Sequence, residues 1–145
     1  MPLAHLGLNR YGQFCNWLYK LFDYVDAQGR NVVKGWASIL QKPQRAKLNQ
    51  LLDKLVKHGD GLYPQMLTGT DIPGIQKLRV HGNVQLRPLL CSGPINQGEE
   101  YTLLQGAKEI GDRWSPMGAL ESAREHKAAV VADPEHRRKE HERVS

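Results

Sequence analysis

Cysteine is scarce in this chain, long apolar runs are missing, and no segment repeats. Two cysteines, Cys15 and Cys91, stand in 145 residues. That is too few for a disulfide framework, and their positions have no metal-ligand spacing. Both are read as reduced thiols, which suits a reducing cytosol. No apolar run approaches the roughly 20 residues that span a bilayer, and the most apolar stretch, residues 17–22, is broken by Lys20. The start lacks a basic region followed by a long apolar core, so no signal peptide is expected and the cytoplasm is the expected location. Without internal repeats or low-complexity tracts, a repeat array is excluded.

What is present is an ordinary globular composition, 40% hydrophobic and 24% charged. A chain of this length buries a core without covalent staples, and one domain is the simplest reading. The net charge of +5 is unevenly spread. Residues 1–60 carry nine Lys and Arg against four Asp and Glu, whereas residues 71–114 hold five of each and residues 115–145 six of each. A basic first half favours nucleic acid or an acidic protein partner.

The periodicity divides the chain into an N-terminal arm (1–13), a single domain (14–133) and a charged tail (134–145), EHRRKEHERVS at its end, expected to be solvated. Residues 15–25 are rich in aromatic and apolar side chains, with Leu18, Phe22 and Tyr24 as buried candidates; a first strand fits best, and helix is the alternative. Residues 26–30 form a turn. Val33, Trp36, Ala37 and Leu40 then recur at helical spacing, with Trp36 expected in the core, and Pro43 marks a break. A second helix follows, with Leu48, Leu51, Leu52, Leu55 and Val56 in one stripe, Arg45, Lys47, Lys54 and Lys57 mostly outside it, and Gly59 as its C-terminal cap. After a loop at 59–74 comes a meander, and after that Ser115-Pro116 is expected to start a final helix that Asp133-Pro134 ends.

The meander, residues 75–108, is the informative part. Strand side chains alternate, so Ile75, Lys77, Arg79 and His81 are expected on one face and Gln76, Leu78 and Val80 on the other. Gly82-Asn83 reads as a two-residue hairpin turn requiring positive φ. The second run, 84–91, places Arg87 near Arg79 across that hairpin; Pro88 within it cannot donate to a ladder, so the strand is at an edge or bulged there. A third run at 101–107 delivers Lys108 and Glu109 at its end.

The order strand, two helices, three-stranded meander, final helix, with the wording LRVHGNVQLRPLL, YTLLQGAKE and Ser115-Pro116, resembles the RelE/ParE superfamily of type II toxins, especially HigB-like and phage-derived members. The resemblance covers roughly residues 18–132. It implies an α+β fold: a small, mainly antiparallel (mixed) sheet of about four strands, an N-terminal helical hairpin on one face and a C-terminal helix. It also implies a metal-independent, cofactor-free endoribonuclease, an mRNA interferase that enters the ribosome, cleaves translated mRNA and arrests growth. Its partner would be an adjacently encoded antitoxin, of helix-turn-helix type, and no membrane is involved.

Cleavage of RNA by its own 2′-hydroxyl needs a proton removed, phosphate charge stabilised and a leaving oxygen protonated. Arg79 and Arg87 are the expected phosphate clamp, because a guanidinium fork matches phosphate oxygens. Lys108 is the next cation, and His81 and Glu109 are the groups able to move protons. Lys77, Arg45, Lys47, Lys54, Lys57 and Arg113 are expected to touch RNA phosphates. Several ribonuclease members carry a tyrosine or histidine where this chain reads Glu109-Ile110-Gly111-Asp112-Arg113-Trp114. Two further readings therefore stand beside the first: a ParE-like toxin acting on another target such as gyrase, and a non-enzymatic RNA-binding homologue.

Overall fold

A computed structural model describes the strand backbone of residues 6–8 and 14–16 and residues 18–145 in full. The chain begins with a small hairpin, β1 (Leu6–Leu8) against β2 (Phe14–Asn16); the rest of the expected arm, and Trp17, lie outside the described residues. The first strand of the main sheet is β3 (Lys20–Tyr24), shorter than the expected 15–25. Tyr24 is buried, but Leu18 is 65% exposed. Asp26 holds the turn that follows, its carboxylate accepting from the amides of Gln28 and Arg30.

Helix α1 (Val32–Ser38) starts where the Asn31 side chain accepts from the Lys34 amide, a side-chain N-cap. Pro43 opens the next helix rather than merely separating the two. It sits in the first turn of α2 (Lys42–His58), where a missing N–H costs nothing. The leucine stripe of α2 is buried at Leu48, Leu51, Leu52 and Leu55, and Gly59 ends the helix at φ 52°. There the tip of the Tyr19 ring crowds the space a Cβ would take.

A six-stranded sheet comes next, built from β3, β4 (Leu67–Gly69), β5 (Gln76–Leu78), β7 (Leu89–Ser92), β8 (Glu100–Gln105) and β11 (Arg138–Glu140). Its order is β11-β3-β8-β7-β5-β4, with β3 parallel to β8 and every other pair antiparallel. A second sheet of three strands contains β6 (Gln85–Leu86), β9 (Lys108–Ile110) and β10 (Arg113–Ser115), in the order β10-β9-β6. The fold is α+β with a mixed sheet, and that sheet has six strands instead of about four.

The two faces of the main sheet follow from alternation along β8. Tyr101 and Leu103 pack into the cluster formed with α1 and α2, and Leu104 joins the opposite cluster with Ala119, Leu120, Ala123 and Val130 of α3 (Ala119–Ala132). The helical pair therefore covers one face and α3 the other. No helix among the described residues is long and apolar enough to cross a membrane.

Three local expectations change. Gly82-Asn83 is not a two-residue turn: the hairpin closes at a Val80–Leu86 bridge, leaving the five-residue loop 81–85, and neither Gly82 nor Asn83 has positive φ. Pro88 falls in the gap between β6 and β7, where its lack of an N–H breaks no ladder and its carbonyl accepts from Leu78. Ser115-Pro116 does not start the final helix. Ser115 pairs with Lys108 in the small sheet, and the left-handed Gly118, φ 78°, precedes the first helical residue, Ala119.

The charged C-terminal segment differs most. After the single turn α4 (Pro134–Arg137), residues 138–140 add an edge strand to β3, and Val144 packs against the core of the helical pair. Four of its polar side chains meet distant partners: Arg138 meets buried Glu100, His141 buried Asp23, Glu142 Lys34 and Arg143 Asp53.

Trp36 is only partly buried, and its ring lies on Gly106: a Cβ there would stand 2.0 Å from the Trp36 ring. Gly106→Ala is expected to cost about 1–3 kcal/mol through overpacking, read as a lowered urea midpoint. An unchanged midpoint would mean that the indole moves freely.

Candidate nucleic-acid interface

One flank of α2 and the chain leaving β5 enclose a groove of about 380 Å³. On α2 the buried leucines turn inward, and Lys47, Gln50 and Lys54, at helical spacing, line the groove beside them. The opposite wall is Met66, Arg79, Val80 and His81. The Arg79 amide donates to the Met66 carbonyl at 2.8 Å, which fixes this wall where the β5 ladder ends. A second cavity of about 310 Å³ shares Lys47, Val80 and His81 and continues along the 81–85 loop. Lys47 bridges the two, its ammonium 3.2 Å from where a Gly82 Cβ would be.

Neither cavity is lined by a carboxylate. Lys47, Lys54, Arg79 and His81 have no ion pair and no side-chain hydrogen bond among the described residues. Cations held together without counter-charge, in a concave site, make a favourable place for a polyanion.

Arg87 has a different fate. The Val80–Leu86 bridge sets Arg79 and Arg87 on opposite strands of the hairpin, but Arg87 is 8% exposed and all three nitrogens of its fork are engaged. Its Nε donates to Glu109 at 2.9 Å, Nη2 to Gln85 at 2.7 Å, and Nη1 to the Leu86 carbonyl at 2.8 Å. Lys77 donates to the same Glu109 oxygen at 2.7 Å and lies 5.4 Å from the centre of the Trp114 ring. Burial pushes the Glu109 carboxyl up, but the hydrogen bonds and charges of Lys77 and Arg87 outweigh it and hold it below the usual glutamate range. Such a carboxylate braces the loop and is a weak proton acceptor.

The sign of that shift gives a pH dependence. A depressed folded-state value means the ion pairs contribute in full above the ordinary value of 4.5 and are lost as pH falls through the lower folded value. Glu109→Gln should lower the urea midpoint at neutral pH and flatten its decline in acid. Parallel pH profiles for the two proteins would contradict this.

The remaining expected contacts are scattered. Lys108 lines a separate cavity with Trp36 and Leu40. Arg45 donates to the Leu40 and Ser38 carbonyls at 2.8 and 3.3 Å, capping α1 instead of facing solvent. Lys57 is exposed in the last turn of α2, and Arg113 is exposed on β10. The late histidines are engaged elsewhere: His126 stacks on Tyr24 and donates to the Leu104 carbonyl, His136 meets Asp133, and His141 meets Asp23. Cys91 is a buried free thiol, pushed up to about 11 by its burial. Among the described residues, no group of three His, Cys, Asp or Glu side chains is placed to hold a metal ion. Gln50, Gln65 and Met66 complete the groove, and of these only Gln50 has a sequence signal, its helical spacing from Lys47.

No protein-family model, curated protein or solved structure matches this chain.

Proposed function

We propose that the chain is a RelE-like toxin of a type II toxin-antitoxin system, acting in the cytoplasm as a ribosome-dependent endoribonuclease on translated mRNA. One observation carries the reading: Arg79, Lys47, Lys54 and His81 line one continuous, carboxylate-free groove beside the meander. The chain order of β3, the helical pair, the β5-β7-β8 meander and α3 lends support to this reading.

In this reading Lys47 and Lys54 hold flanking phosphates, and Arg79 takes the phosphate that gains charge as the 2′-oxygen attacks. His81 is the one imidazole lining the groove and takes the proton-transfer role in this reading. Arg87, with Glu109 and Lys77, holds the 81–85 loop in place. An antitoxin neutralises the protein by covering the groove or by making the complex too large for the ribosome.

A second reading has its own support. With Arg87 and Glu109 committed to each other, His81 alone is left for two proton transfers, which favours a non-enzymatic RNA-binding homologue. Induced expression in a bacterium, read by growth and by primer extension on a reporter mRNA, separates the possibilities. Arrest with new 5′ ends inside translated codons supports the ribonuclease. RNA binding with intact transcripts and normal growth supports the second reading, and arrest with DNA damage points to a gyrase-directed toxin.

A further inference from the structure

A groove of about 530 Å³ separates the end of α1 from the small sheet, and its chemistry differs from that of the basic groove. Trp36, Ile39 and Leu40 form one side, and Val84, Lys108 and Pro116 the other. Directly opposed residues of an antiparallel pair share a face, so Lys108 with Ser115 and Ile110 with Arg113 lie together on the outer face of β9 and β10. Glu109 and Trp114 lie on the reverse face.

Two properties coincide here. Ile39, which lines the groove, is 81% exposed, and Ile110 and Met117, close along the chain to the lining residues Lys108 and Pro116, are 65% and 95% exposed, so the fold leaves large apolar side chains wet here. Lys108 is the only charged residue lining the groove, and neither it nor Arg113 has an ion pair or side-chain hydrogen bond among the described residues. Glu109 is turned away and held by Lys77 and Arg87, which leaves Asp112, in the tight turn, as the other carboxylate of this hairpin.

We propose that this groove docks a segment of a partner protein that presents apolar side chains flanked by aspartate or glutamate. The apolar anchors fill the space beside Trp36 and Leu40, and the flanking carboxylates meet Lys108 and Arg113. A second copy of this chain fits less well, because a two-fold contact through this face brings like charges together. RNA fits less well too, since the exposed isoleucines and methionine offer nothing to phosphate. The proposal holds whether or not the chain cleaves RNA: Gln41, Gln44 and Val84 also line the neighbouring basic cavity, but the anchoring residues Trp36, Ile39 and Lys108 do not.

The test is selection of random displayed peptides on the full chain, followed by fluorescence polarisation of the enriched peptides with the parent, Ile39→Asp and Lys108→Glu. Thermal unfolding first establishes that both variants fold. Enriched peptides are expected to combine apolar anchors with acidic flanks and to bind each variant at least about tenfold more weakly. Exchanging the acidic flanks for lysine should restore binding to Lys108→Glu. The proposal is overturned by absence of enrichment, by peptides without acidic flanks, or by binding that both variants leave unchanged. Self-association of the chain in sedimentation, abolished by Ile39→Asp, also overturns it by making the occupant a second copy.

Discussion

Replacing Arg138 with alanine is expected to remove about 3–5 kcal/mol of folding stability, because it leaves a buried carboxylate without its counter-ion. The partner, Glu100, is 1% exposed on the most buried strand of the sheet, and Arg138 reaches it from the edge strand with only 11% of its own side chain exposed. Arg138 also lies 3.8 Å over the Phe22 ring, so alanine removes packing as well as charge. The remaining contacts to Glu100, from the Ile95 amide and the Asn96 side chain, bring hydrogen bonds but no full positive charge.

A second variant separates the lost charge from the lost packing. Glu100→Gln keeps an acceptor for Ile95 and Asn96, so combining it with Arg138→Met removes both charges while filling the space, and should recover at least half of the loss. Urea unfolding at neutral pH measures both. A loss under about 1 kcal/mol for Arg138→Ala would put Glu100 in contact with water and refute the buried pair.

The second large effect concerns the groove. If the proposed ribonuclease reading holds, Arg79→Ala should slow cleavage about 10²–10³-fold, the typical consequence of deleting one preorganised donor to a developing charge. The loss should fall on the rate at saturating RNA, because Lys47 and Lys54 still hold the substrate. Lys47→Ala and Lys54→Ala should instead weaken RNA binding and each reduce its salt dependence by about one released ion. Arg87→Ala offers a contrast, since its effect should appear first as lost stability: the guanidinium braces Glu109, Gln85 and the Leu86 carbonyl. Equal cleavage by Arg79→Ala and the parent would place the chemistry outside this groove.

Much of the secondary structure was legible in the sequence because the signals are local. The leucine spacing of α2, its glycine cap and the strand expected at 101–107 and found at 100–105 depend on neighbours a few residues apart. The site was legible only in part. Alternation put Arg79 and His81 on one strand face, and helical spacing put Lys47 and Lys54 on the wet side of α2, but nothing local brings the two sets together or distinguishes a free arginine from a committed one. Arg87 and Arg79 read alike until Glu109, 22 residues beyond Arg87, is seen to hold the one and not the other. Arg45 looked like a wet cation until its contact with the end of α1 was visible.

The charged tail marks the boundary most clearly. Its balanced charge, EHRRKEHERVS, has no apolar periodicity, so the sequence alone determined only that it ends a helix at Asp133-Pro134 and carries both signs. That it forms an edge strand was decided by Asp23 on β3 and Glu100 on β8, two buried carboxylates whose oxygens take hydrogen bonds from His141, the Glu142 amide and Arg138. Those partners lie 118 and 38 residues away, beyond the reach of any helical or strand period. Composition and periodicity determined the helices, the central strands and a basic first half; which charges are free to meet a ligand was decided by tertiary structure, because neutralisation depends on distance in space.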